Sequence, residues 1–106
     1  MGMRKGQRYR TRVDLPVIAM TEWAAPYTGG YERTLKAGEE FTIANDAPGT
    51  ATMVYADAAD YKRLHKEFIP LGDRLRFWSY RGWYLCLNIK DVQGKCELLY
   101  EPPWRR

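Results

Sequence analysis

The chain has 106 residues, of which 45% are hydrophobic and 28% charged. That is the size of one domain, 1–106, which can bury about two-thirds of its unfolded surface without help from a metal or disulfide. These values exclude a disordered tail, a collagen-like repeat and a membrane protein. The longest apolar run, at 83–87, is far short of the roughly 20 residues that a membrane span needs. The formal net charge is +4, and its sign is segregated. Residues 1–12 carry Arg4, Lys5, Arg8, Arg10 and Arg12 and no acid, beginning with a basic segment at 1–6. Residues 13–60 carry only Arg33 and Lys36 against eight acids, and residues 61–106 are basic again. A basic end beside an acidic middle suits an anionic partner, or association of unlike faces between copies.

The two cysteines, Cys86 and Cys96, and the single histidine, His65, do not make a metal-binding spacing. A structural zinc site needs four ligands in close-set pairs. Two thiols in a chain of this length point to a reducing compartment with no disulfide. The first six residues have no apolar stretch of the kind a signal peptide carries. The expectation is a cytoplasmic protein with no cofactor.

Taken in order, residues 7–20 alternate. Tyr9, Thr11, Val13 and Leu15 would face a core, and Arg8, Arg10, Arg12 and Asp14 would face solvent. Pro16 marks this segment as an edge strand or a bent one. Residues 21–32 read as a loop punctuated by Pro26, Gly29 and Gly30, and they carry Trp23, Tyr27 and Tyr31. A turn at Gly38 leads into a strand with Phe41 and Ile43 on one face, and 50–55 forms another short strand. The spacing of Tyr61, Leu64 and Phe68 predicts one helix over 57–69, capped by Asp57 and stopped at Pro70. Residues 74–79 read as extended. At 83–90 the alternation is clearest, with Trp83, Leu85, Leu87 and Ile89 on one face. A turn at 91–94 would then return the chain as a hairpin over 95–100. Pro102 and Pro103 end the regular structure and begin a tail, 101–106.

This pattern predicts a mainly β (α+β) fold, a small curled sheet or barrel with a helical insertion near 57–69. The stretches 35–43, a Leu-x-x-Gly turn entering a strand, and 82–87, a Gly-Trp-Tyr step entering another, resemble strands of bacterial Src-homology-3-like barrels. The resemblance implies a small barrel and carries no function with it. Trp83, Phe41, Phe68 and Leu87 are the expected core.

No catalytic motif is present: no Gly-x-Ser-x-Gly elbow, no Ser-x-x-Lys, no His-Glu-x-x-His and no phosphate-binding Gly-rich loop ending in Lys. Cys86 and His65 could be a nucleophile and base only if the fold brought them together, and a mid-strand cysteine among bulky apolar neighbours is ordinarily inert. What stands above background is arginine and aromatic content. Four Trp and eight Tyr accompany 11 Arg among the 17 bases. Rings stack on bases, and guanidinium forks grip phosphate. If 74–81 is extended, Arg74, Arg76, Trp78 and Tyr80 share one face, with Arg81 at the turn. The loop residues Trp23, Tyr27 and Tyr31 and the strand face of Arg8, Arg10 and Arg12 complete the candidate binding set.

The reading is a non-enzymatic module that binds an anionic small molecule such as a nucleotide, with its pocket formed between copies of a homo-oligomer. In size and composition the chain is similar to small bacterial and phage proteins that sequester nucleotide signals. Two alternatives stand beside it. One is a nucleic-acid-binding barrel using the Arg8, Arg10 and Arg12 stripe, weakened by the acidic middle block. The other is a protein-interaction module with Trp23, Tyr27 and Tyr31 as an aromatic groove, or with the tail from Pro102 to Arg106 as a docking segment. No membrane partner is expected.

Overall fold

Period-two alternation builds most of this molecule. The computed structural model describes residues 2–21, 30–76 and 82–103, with only the backbone of Asp73, Leu75 and Arg76. Among these residues lie seven strands: β1 (Arg8–Thr11), β2 (Leu15–Thr21), β3 (Tyr31–Leu35), β4 (Glu40–Ile43), β5 (Met53–Ala58), β6 (Trp83–Asn88) and β7 (Cys96–Tyr100). They pair antiparallel in one sheet of order β3-β2-β6-β5-β4-β1-β7. Helices α1 (Tyr61–Phe68) and α2 (Leu71–Arg76) follow β5, and α3 (Ile89–Lys95) follows β6. The fold is therefore mainly β with helices. No ladder joins β3 to β7, so the sheet is not closed into a barrel.

The sheet nevertheless has to curl. β1 and β2 stand four places apart in it, which is about 19 Å on a flat sheet. Only residues 12–14 connect them, and four Cα steps reach about 14 Å at most. The link from β3 to β4, residues 36–39, spans the same number of places and contains a turn at Gly38, whose φ of 94° suits only glycine without strain. Hydrogen bonds tie the two links to each other and to β1. Gly38 N donates to the Thr11 carbonyl at 2.8 Å, Thr11 N to the Glu39 carbonyl at 3.0 Å, and Ala37 N to the Asp14 carboxylate at 2.9 Å.

The concave side is the core. Leu15, Leu35, Phe41, Val54, Ala56, Leu85, Leu87 and Val92 are fully enclosed there, with Trp83 and Phe68 beside them. α1 covers the end of the sheet where β5 stops and β6 begins, through Leu64 and Phe68, with Tyr61 packed alongside. α3 covers the opposite end through Ile89 and Val92. The four residues expected in the core are all buried. No helix among the described residues is long and apolar enough to cross a membrane.

Several local expectations are corrected. The segment 7–20 is two strands in distant parts of the sheet, so Val13 is 45% exposed in the link between them. Thr11 Oγ1 bonds the Val13 carbonyl and turns the chain there. β2 is an interior strand in spite of Pro16, because its pairing to β6 begins only at Ile18 and position 16 borders β3 alone. Asp57 lies in β5 and caps nothing. α1 starts after Asp60, whose carboxylate binds Arg63 Nε at 2.7 Å and makes no backbone cap. The expected hairpin of 83–90 with 95–100 does not form. β6 pairs with β2 and β5, β7 pairs with β1, and α3 occupies the supposed turn, its first turn capped by Asn88. Both cysteines are free and buried, and burial pushes both thiols up from their ordinary pKa, so neither is a ready thiolate.

Leu64 is 2% exposed at the contact between α1 and the sheet. Leu64→Ala should therefore cost about 2–5 kcal/mol in chemical denaturation. A loss below about 0.5 kcal/mol, within the range of surface substitutions, would remove α1 from the core.

Candidate functional site

A helix leaves its last carbonyls without partners in the helix. At the end of α1 two arginines meet this need. Arg33 Nε, from β3, donates to the Phe68 carbonyl at 2.9 Å, and Arg74 Nε, from α2, donates to the Ile69 carbonyl at 3.0 Å. Positive charge is favoured there by the helix dipole. Arg33 also lies over the Tyr31 ring, 5.2 Å from its centroid, and donates through Nη1 to the Glu32 carbonyl. Tyr31 and Arg33 are two residues apart on one strand, so they share a face.

These two guanidiniums differ from most of the others described. Arg4 pairs with Glu101, Arg10 with Glu40 and Glu97, and Arg63 with Asp60, Glu39 and Glu67. Those charges are neutralised by carboxylates. Arg33 and Arg74 are held by neutral carbonyl oxygens and have no carboxylate partner among the described residues.

Rings adjoin them. His65 stacks on Trp83 at 5.9 Å between centroids and on Tyr61 at 6.2 Å. Tyr61 and Phe68 also contact Trp83, and the Tyr61 hydroxyl accepts from the Trp83 backbone N–H at 3.3 Å. Burial, and then the positive charge of Arg74, hold the His65 imidazole below its ordinary pKa. Two buried polar atoms at this end of the sheet have no hydrogen-bond partner among the described residues, Trp83 Nε1 and Thr21 Oγ1. The two residues are direct cross-strand partners on β6 and β2.

The candidate residues are thus redistributed. Tyr31 and Arg74 reach the same place, the C-terminal end of α1. The proposed extended face at 74–81 is not formed as drawn, because Arg74 and Arg76 lie in α2. A helix sets two such positions about 200° apart around its axis. Trp23, Tyr27, Trp78, Tyr80, Arg81 and the tail from Trp104 lie outside the described residues. Arg8 and Arg10 do project from the exposed face of β1, with Arg12 just beyond it. Arg8 covers the Tyr100 ring, 5.8 Å from its centroid, while Arg10 is occupied by its two glutamates. Cys86 cannot pair with His65, because alternation along β6 turns Cys86 away from the face on which His65 meets Trp83. Arg33, His65 and Thr21 are absent from the sequence-derived set. The i,i+2 step from Tyr31 to Arg33 is the one signal that could have added one of them.

No protein-family model, curated protein or solved structure matches this chain.

His65 is the chain's only histidine, so its titration gives one unambiguous NMR signal. The midpoint should lie below the ordinary value of about 6.5, and Arg74→Gln should raise it. A base whose pKa is depressed by folding binds its proton more readily when unfolded. Stability from this group is therefore complete above about pH 6.5 and declines as the pH falls towards the folded-state midpoint. A midpoint above 6.5, or one indifferent to Arg74→Gln, would contradict this geometry.

Proposed function

We propose that this protein is a non-enzymatic module that binds and sequesters a phosphate-bearing small molecule with a planar ring, such as a nucleotide. The observation that carries the reading is the pair of guanidiniums at the end of α1. Their Nε groups are fixed on neutral carbonyls, so they keep full charge and further N–H donors for a phosphate. The adjoining rings of Tyr31 and His65 offer flat faces for a base. A domain this small encloses a ligand most readily between copies, so the reading includes a homo-oligomer.

Binding to a nucleic-acid polymer is the weaker reading. It needs a continuous basic track, and carboxylates occupy Arg4, Arg10 and Arg63.

Calorimetry against mono-, di- and cyclic nucleotides should find a ligand. Arg74→Ala should then weaken binding by roughly 1.5–3 kcal/mol, or about 10- to 150-fold, as loss of a charge-assisted bond does. An affinity unchanged by both Arg74→Ala and Arg33→Ala, or no binding across the panel, would overturn the proposal.

A further inference from the structure

At the opposite end of α1 a different chemistry gathers. A cavity of about 520 Å³ is lined by Tyr55, Asp57, Tyr61, Trp83 and Tyr84, with Ala44, Asn45 and Gly82 also on its wall among the described residues. Its volume lies in the range of small-molecule sites. The rings form two angled pairs. Tyr55 meets Tyr84 edge to face, 4.9 Å between centroids and 68° between planes, and Tyr61 meets Trp83 at 5.1 Å and 41°. The pairing of Ala56 with Leu85 sets Asp57 opposite Tyr84, on the same outer face as Tyr55. The Asp57 carboxylate has no cationic partner among the described residues.

Aromatic faces carry negative quadrupole potential, and a carboxylate without a cationic partner among the described residues adds to it. Such a cleft repels the anion that the arginine pair would attract, and it draws a cation. A primary ammonium would be poorly served there. It has three N–H donors to satisfy, and Asp57 is the only carboxylate among the described residues that line the cleft. The Asn45 side-chain oxygen already accepts from the Tyr55 backbone N–H and has one lone pair left. A cation without N–H donors gives up less on leaving water and meets the rings through its methyl groups. We infer that the cleft of Tyr55, Asp57, Tyr61, Trp83 and Tyr84 binds a quaternary ammonium group. Arg33 and Arg74 hold the far end of α1, so this inference shares no charged group with the anion-binding reading.

The test is an NMR titration of the whole chain with tetramethylammonium chloride and with choline, against sodium chloride as control. A second arm uses the neutral carbon isostere of choline, in which a tert-butyl group replaces trimethylammonium. Choline should shift the signals of Tyr55, Tyr84 and Asp57, and the isostere should bind at least about ten-fold more weakly. Tyr55→Ala and Asp57→Asn each alter an exposed residue. They should leave the melting temperature nearly unchanged and weaken choline about three- to thirty-fold. A peptide bearing trimethyllysine, run beside choline, tells which source of the same head group binds more tightly. Equal binding of choline and its neutral isostere would reduce the cleft to an apolar hollow and overturn the inference. So would shifts no larger than those caused by sodium chloride.

Discussion

Residues 12–14 and 36–39 are too short to cross a flat sheet, yet each joins strands that stand four places apart. The sheet can satisfy both links only by curling, and the rest of the architecture follows. Curling gives one concave face, where alternate residues of the strands meet, and leaves two open ends. α1 and α3 fill those ends with Leu64 and Phe68, and with Ile89 and Val92. Trp83 stands where the sheet meets α1. It is 3% exposed and touches Tyr61, His65 and Phe68. The ring cluster on either side of α1 is thus a by-product of closing that end of the sheet.

The same arrangement sorts the charges. Arg10 on the outer face of β1 and Arg63 on α1 find carboxylates and are neutralised, while Arg8 lies over the Tyr100 ring. Arg33 and Arg74 come instead to the end of a helix, where their hydrogen-bond partners among the described residues are carbonyl oxygens. The difference matters chemically, because a guanidinium bound to a neutral oxygen still has a full charge to offer. α1 therefore separates two environments. Its C-terminal end gathers cationic side chains, and its N-terminal end borders rings and a carboxylate with no cationic partner among the described residues.

Much of this fold was legible in the sequence. Alternation identified the faces of β4 and β6, and the spacing of Tyr61, Leu64 and Phe68 identified α1 and its buried stripe. What could not be read were elements whose residues satisfy two periods at once. Ile89 fits the inward face of β6, and it also fits an i,i+3 pair with Val92 in α3. Tertiary context decides for the helix, because the end of the curled sheet has to be filled. Residues 74–76 present the same ambiguity, and here the competing strand reading also set the expected binding face, so that part of the candidate site moved with it. Tyr31 and Arg74 were recognised by residue type alone. Arg33, in the acidic middle block, was missed because its role comes from a helix end 35 residues away in sequence.

The central claim, that the end of α1 holds a small phosphate-bearing ligand, is tested most directly by releasing and weighing what the protein carries. Protein purified without denaturation would be unfolded and its small-molecule fraction examined by mass spectrometry, alongside an Arg33→Ala, Arg74→Ala double variant prepared identically. The account predicts a nucleotide-sized phosphate compound near one equivalent per site, lost from the variant. It would be contradicted by an equal amount of that compound on both proteins, by a polymer removable with nuclease, or by no phosphate compound on the unaltered chain.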